Sequence, residues 1–521
     1  MKVVTTAQMK ELDARTISEH GIPGEVLMER AGRGVARCVR ALARRAGIAA
    51  PRVRLIAGKG NNGGDAFVAA RYLARDGVRV DVWLAAASTD VNGDALTHLR
   101  SLSAAGVAVT QMPSEADWDS APADDDAPDL LVDGLLGTGA KGAPHGVVAN
   151  AIRLINRLGD RSLVVAIDVP SGLDADSGEA PGEAVQADVT VTMGYPKRGF
   201  LAPVAADRVG VVEVVDLGIP AALAPDGTAD VELITEADVR ALFCRRARQS
   251  HKGVYGHVLV MSGSAGYAGA AAMAARAALR SGAGLVSAVV PHSIAAIVAA
   301  MAPEVMVHGV QETEIGSLSM QIWNDFQRPD TAYDAIVAGP GMSRHNDTRR
   351  LLDRLLRYSR CPLVLDADAL NAFESHVEDL GRGTCPVVVT PHPGEMARLL
   401  DWTTEAVQAD RLKAVLAAAS ATRGTVVLKG GGTLVAEAND LVRMNLTGNP
   451  GMATGGTGDV LAGMIGGLIA QGLKPCAAAC AAVYVHGRAG DTVAYRTSQA
   501  GLIAGDIIEE LPAAFREVTS R

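Results

Sequence analysis

Two glycine-rich stretches hold the residue types best suited to chemistry. One, GKGNNGGDA (residues 58–66), follows the apolar run VRLIAG and leads into a helical pattern. Its glycines let the backbone approach a ligand closely, and unpaired N–H groups at a helix start attract phosphate. A purely structural turn would also use those glycines. The doubled amides Asn61 and Asn62 suit a polar ligand or a hard cation better than they suit packing. The other stretch, NPGMATGGTGDVLAGMIGGLIAQG (residues 449–472), sets Gly455, Gly456 and Gly458 before Asp459 at the mouth of a strongly apolar helix. Exposed N–H groups there make an anion hole for a phosphoryl group. Asp459 beside them can accept a hydroxyl proton.

Further polar residues fall just after apolar runs. VDGLLGTGAKG presents Asp133 and a second Gly-rich loop, and AIDVPSGLD presents Asp168 and Ser171. Asn62, Asp133 and Ser171 offer only oxygen ligands, which fits a hard monovalent or divalent cation better than zinc. Asp168 is placed for acid–base work near a bound ligand. Any one of these aspartates alone could equally be a helix cap or a turn residue. In the second half, LKGGGT offers Lys429 and a glycine turn, and TPHPGE holds His392 between two prolines that fix its direction. AGPGMS and SGSAGYAGA add loops for close approach, and DADALN adds two carboxylates, one of which could simply cap the next helix.

The elements that position these residues alternate. In the first half, VRLIAG, VRVDVWLA, DLLVDGLLG, LVVAIDVPSG, ADVTVTMG and GVVEVVDLG read as strands with helical stretches between several of them. A Rossmann-like, doubly wound α/β domain is expected over residues 1–220. Thr5 and Gln8 form a capping box for an opening helix with Met9 and Leu12 on one face, and a second helix runs near residues 25–45. IPAALAPDGTAD reads as a linker, roughly residues 218–230, and residues 114–128 read as a surface loop with a solvated acidic run at 124–126. A larger α/β domain is expected over residues 230–521, its strands HVLVMSGS, GLVSAVVP, DAIVAGPG, CPLVLDADAL, CPVVVTPHPG and TVVLKGGG separated by Ala-rich helices. Ligand sites of open parallel sheets lie beyond the carboxyl ends of the strands, where every polar signature of this half falls.

Composition narrows the function class. Apolar residues make up 48% of the 521 and aromatics only 3%, so the cores rest on Ala, Val, Leu and Ile. A net charge of -9 argues against a broad nucleic-acid surface. The six cysteines form no C-x-x-C pair, and Cys476 and Cys480, one helical turn apart in an Ala-rich run, read as core residues. The N-terminus carries charges where a signal peptide would be apolar, and no run reaches membrane-span length. A cytoplasmic protein with no membrane or nucleic-acid partner is expected. Ala-rich helices suit close subunit packing, so a homo-oligomer is expected as well.

In this order and spacing, GKGNNGGD, VDGLLGTG and IDVPSG resemble the NAD(P)H-hydrate epimerase domain over about residues 8–215. The resemblance implies that the hydrated dinucleotide is held by Asn61, Asn62, Gly63, Gly64 and Asp65 of the first loop. It also implies contacts from Gly137, Thr138, Gly139, Ala140, Lys141, Gly142 and Ala143 of the second loop. Asp168 matches the catalytic, substrate-contacting aspartate, and Asn62, Asp133 and Ser171 match the residues that hold a potassium ion. Ala66 stands where glycine is common, which bears on the local loop geometry.

Over about residues 230–515, the GGTGD anion hole together with HKGVYG, YAGA, GPG, DADALN, TPHPGE and LKGGGT resembles the ADP- or ATP-dependent NAD(P)H-hydrate dehydratase of the ribokinase-like superfamily. This implies substrate contacts at Ala268 or Gly269, Gly341, His392 and the catalytic Asp459. Nucleotide contacts are implied at Lys429, Gly430, Gly431, Gly432, Thr433 and Gly458, with ADP or ATP as co-substrate and Mg²⁺ beside it. The expected small-molecule partners are the hydrates NADHX and NADPHX and the nucleotide. A hydroxymethylpyrimidine- or sugar-type kinase with a non-catalytic N-terminal nucleotide-binding module would use the same anion hole and aspartate. The fused first half favours cofactor repair.

Overall fold

The computed structural model describes residues 1–121, 127–223, 231–325, 333–438 and 440–519. The acidic run at 124–126 and most of the expected linker therefore lie outside the described residues. The chain divides into two compact units, Met1–Ala229 and Asp230–Arg521.

In the first unit the apolar runs become a parallel sheet of β1 (Arg52–Ala57), β2 (Arg79–Leu84), β3 (Ala108–Gln111), β4 (Leu130–Gly134), β5 (Leu163–Ile167), β6 (Val189–Met193) and β7 (Val211–Val215). Their order is β3-β2-β1-β4-β5-β6-β7, so the chain switches direction between β1 and β4. β1, β4 and β5 are buried almost throughout, which is why Val, Leu, Ile and Ala dominate their sequences. β3 has no counterpart among the expected strands. Its AVTQ sequence is largely exposed at the sheet edge and carries no hydrophobic signal. The expected capping box is present, with the Gln8 amide donating to Thr5 and the Thr5 amide to the Gln8 side chain. The surface loop near 114 is corrected in part: Ser114 caps a short helix, Glu115–Asp119, through Asp117.

The second unit contains β8 (Val231–Leu233), β9 (His257–Met261), β10 (Leu285–Pro291), β11 (Met306–Val310), β12 (Ala335–Ala338), β13 (Leu363–Leu365), β14 (Val387–Val389), β15 (Thr425–Leu428), β16 (Thr433–Ala436) and β17 (Val442–Asn445). The order is β11-β10-β9-β12-β13-β14-β15-β16-β17-β8. From β11 to β15 neighbours are parallel, but β16 runs antiparallel to both β15 and β17. The LKGGGT stretch is therefore a hairpin turn between β15 and β16, and the sheet is mixed. The glycine-rich Thr457–Ala470 helix packs against the alanine-rich Ala268–Arg280 helix so closely that a Cβ on Gly467 would lie 2.6 Å from the Ala278 carbonyl oxygen. The alanines of Ala268–Arg280 other than Ala270 are buried within the unit. Cys476 and Cys480 are buried core residues, and all six cysteines are free. Among the described residues no helix is long and apolar enough to cross a membrane.

Candidate active sites

The carboxyl ends of β1, β4 and β5 meet at the switch point of the first sheet and wall a cleft of about 910 Å³. The helix after β1 begins at Asn61, earlier than the sequence suggested, so Asn62, Gly63 and Gly64 lie in its first turn. Gly63 and Gly64 are buried under the cleft floor. A Cβ on Gly63 would collide with the Gly58 carbonyl, and one on Gly64 would sit 2.5 Å from Met28 Sδ. Their role is therefore close packing that lets the helix start point its N–H groups outward, while Asn61, Asn62 and Asp65 line the cleft. Ala66 is fully buried in this helix against Gly134, away from the loop whose geometry it was expected to affect. Of the second loop, residues 137–140 line the cleft, whereas Lys141, Gly142 and Ala143 are exposed and lie beyond its lining.

Asp133 and Ser171 interlock outside the cleft lining, both buried and hydrogen-bonded to the amides of the lining residues Leu135 and Leu136. Ser171 Oγ and N donate to the two Asp133 oxygens at 2.7 and 2.8 Å, and the Leu135 amide donates to Oδ1 at 3.1 Å. Asn62 donates Nδ2 to the Leu136 carbonyl at 2.8 Å, which leaves its Oδ1 as an acceptor. Burial pushes the Asp133 carboxyl up to about 6 against these hydrogen bonds. Among the described residues no basic side chain pairs with it. A fully buried carboxylate flanked by amide and hydroxyl oxygens fits a potassium ion.

Asp168 sits just past β5 with φ of 63, an uncommon conformation for a residue with a side chain. Its carboxylate receives Lys197 Nζ at 2.6 Å, with Thr192 Oγ1 and the Met193 amide each at 3.3 Å. Lys197 is fully buried and also donates to Thr192 Oγ1 and to the Met193 and Tyr195 carbonyls. The sequence reading missed Lys197 because a lone Lys after β6 carries no local pattern. It also missed Asp13, from the first helix, which lines the same cleft.

The second site forms where parallel strand ends from β9 to β15 converge. Gly456 takes φ of 95 to turn the chain into the Thr457–Ala470 helix, and nothing crowds a Cβ at Gly455. Asp491 fixes the preceding loop, accepting from the Gly448 amide at 2.9 Å and Asn449 Nδ2 at 3.0 Å. Lys429 Nζ and Asp366 Oδ2 lie 3.2 and 3.5 Å from where a Gly458 Cβ would be, so the anion hole has a cation at its rim. Lys429 itself pairs with Asp366 at 2.7 Å and with Glu395 at 3.7 Å. Asp459 is pushed up to about 7, first by burial and then by Asp366, with Lys429 opposing. Ala367, between Asp366 and Asp368, adopts φ of 50.

His392 caps the Pro393–Leu400 helix, its Nδ1 accepting from the Gly394 and Glu395 amides at 3.0 and 3.3 Å. This hydrogen-bond pattern assigns the ring proton to Nε2, which lies 3.5 Å from Glu395 Oε1. Burial lowers its pKa, so the ring is neutral near pH 7. Gly341 (φ 61) abuts Tyr267, and Ser264 Oγ donates to the Gly341 carbonyl at 2.8 Å, which brings the two close-approach loops together. Ala268 starts the next helix, and the space around Gly269 is open. The Gly430–Gly432 turn is held by Arg411, which donates to the Leu428, Lys429 and Gly432 carbonyls. Arg411 lies outside every motif and was not foreseen. Thr433, the first residue of β16, donates Oγ1 to the Gly430 carbonyl at 2.9 Å.

Residues 258–513 match the NAD(P)H-hydrate dehydratase family model, and residues 24–199 match the model of the YjeF-related protein N-terminus. The bifunctional NAD(P)H-hydrate repair enzyme of Moorella thermoacetica is 41% identical over 99% of this chain and 97% of its own length. That of Escherichia coli is 35% identical over 88% of this chain and 84% of its own length. A solved ADP/ATP-dependent NAD(P)H-hydrate dehydratase from Bacillus subtilis, co-crystallised with ATP and Mg²⁺, is 31% identical, with a TM-score of 0.49, over 55% of this chain and 99% of that one. The kinase alternative is not favoured, because these relatives match both halves and are named for repair. With the oxygen-lined cleft in one unit and the aspartate-flanked anion hole in the other, the chain belongs to the family of bifunctional NAD(P)H-hydrate repair enzymes.

Proposed function

We propose that the first unit interconverts the R and S hydrates of NADH and NADPH, and that the second dehydrates the S hydrate at the expense of ADP or ATP. The observation that carries this is the presence of two chemically different carboxylate sites in one chain. Asp168 faces a buried lysine, with the buried oxygens of Asp133 and Ser171 in the same unit, and Asp459 stands at a glycine-rich helix start rimmed by Lys429.

In the first cleft, Asp168 exchanges protons with the bound hydrate while Lys197 fixes its carboxylate. Potassium held by Asn62, Asp133 and Ser171 would supply positive charge to the dinucleotide. In the second site, ionised Asp459 takes the proton of the C6 hydroxyl as the nucleotide's terminal phosphoryl group passes to that oxygen. The N–H groups at Gly456 and Gly458, with Lys429, steady the charge on the phosphoryl oxygens. Phosphate then leaves C6 as the N1 lone pair closes to an iminium, and a C5 proton passes to solvent as the C5=C6 bond of the dihydropyridine is restored. Mg²⁺ would arrive on the nucleotide phosphates, where it needs few protein ligands. His392 would donate from Nε2 to the substrate in exchange for its contact with Glu395, and the Arg411-braced glycine turn would meet the nucleotide.

Six free thiols suit a reducing compartment such as the cytoplasm. Self-association is supported by the His292–Met301 helix, where Ile297 and Met301 are exposed at 51% and 46% beside edge strand β11. The functional test is to mix purified protein with hydrated NADH, ADP or ATP and Mg²⁺, and to follow recovered NADH absorbance and released phosphate. Stoichiometric recovery is expected. Stable phosphorylation of another alcohol without recovery would refute the proposal.

A further inference from the structure

The cleft of the first unit holds a carboxylic acid that the mechanism above leaves without a task. Asp13 projects from the Thr6–His20 helix and lines the same cleft as Asp65, Asp168 and Lys197. Its Oδ1 is buried and has no hydrogen-bond partner. Lys197 does not relieve it, because that ammonium donates to Asp168, Thr192, Met193 and Tyr195. A carboxyl group with one oxygen buried and without a donor is shifted toward its neutral form. Burial, opposed by Lys197 and aided by Asp168, holds Asp13 up at about 6. Asp65 is pushed well above the carboxylate range by burial and by Asp168 and Asp13. The cleft thus combines one ion-paired carboxylate with neighbours that retain protons, the combination that acid–base catalysis at a single carbon requires.

We infer that Asp13 is the proton donor of the epimerisation, acting on the C6 hydroxyl of the hydrated ring, with Asp168 as its base. The inference rests on the epimerase reading of this unit. The Asp13 proton passes to the C6 oxygen, and the C6–O bond breaks with its electron pair leaving in water. The N1 lone pair closes to an N1=C6 iminium. Water then attacks C6 on the opposite ring face and gives its proton to Asp168. Solvent returns that proton to Asp13. One water leaves and one enters, and nothing is oxidised or reduced.

The test follows R/S exchange by the full chain in ¹⁸O-labelled water. Wild type should take up one solvent oxygen per inversion, and its exchange rate should fall as pH rises past about 6. Lys10, Lys59, Asp65, Asp90, Asp94, Asp168 and Lys197 also face this cleft, so the limb is assigned by its loss in the Asp13→Asn variant. That variant should slow exchange at least ~100-fold, and Asp13→Glu should recover part of the rate. Unchanged nucleotide-dependent dehydration of the S hydrate by Asp13→Asn would show an intact chain. The oxygen label and pH limb of the wild type need no variant at all. Wild-type exchange rates in Asp13→Asn, or inversion with retained oxygen, would overturn the inference and leave the epimerase reading standing. Absence of exchange in the wild type would overturn that reading and the inference with it.

Discussion

At the scale of single residues, the two aspartates proposed as catalytic depend on neighbours, of which Lys429 and Asp366 stood in sequence motifs and Lys197 did not. Asp459 is held up at about 7, so it is protonated below that pH and cannot take the hydroxyl proton. The dehydration rate at saturating substrate should fall about tenfold per pH unit below 7 and level off above it, a profile measurable by NADH recovery. Lys429 balances buried Asp366 and Glu395. Lys429→Met would leave those charges unpaired and lower stability by about 3 kcal/mol, read as a drop in melting temperature, besides weakening nucleotide turnover. Asp459 was legible because glycines announce a helix start. Lys197 and Arg411 were not, because their meaning lies in strand ends that meet only after folding.

At the scale of elements, the parallel core was legible and its edges were not. The buried runs of β1, β4 and β5, and of β9 and β12, are dominated by Val, Ile, Leu and Ala. Short or exposed strands such as β3, β8 and β11 lack that signal, and the β15–β16 hairpin hid behind glycines that also suit a ligand loop. Ala66 belongs to the helix, so Ala66→Gly should cost about 1 kcal/mol through helix propensity and leave the epimerisation rate unchanged. The proposed potassium site makes a pH-dependent prediction. The Asp133 pKa rises on folding from 3.8 to about 6, so without a cation its neutral form favours the fold below pH 4, and that gain is lost as pH climbs through 6. A cation needs the ionised form. Replacing sodium by potassium should therefore raise the first unit's melting temperature more at pH 7.5 than at pH 4.5, as scanning calorimetry can show. Equal shifts at both values would argue against a site at Asp133.

At the scale of the whole molecule, the proposed reactions fall one to each unit, Met1–Ala229 and Asp230–Arg521. Each unit carries its own carboxylate site at a strand-end switch point, a placement that follows from open parallel sheets. What the sequence conveyed only by resemblance, the identity of the repaired cofactor, is carried by relatives that match this chain nearly end to end. The most direct test compares Asp168→Ala and Asp459→Ala on separated R and S hydrates with ADP or ATP and Mg²⁺. Asp168→Ala should still dehydrate the S hydrate at the wild-type rate while leaving the R hydrate in place; Asp459→Ala should equilibrate the epimers and regenerate no NADH. Loss of both activities in either folded variant would contradict the assignment of one reaction to each unit.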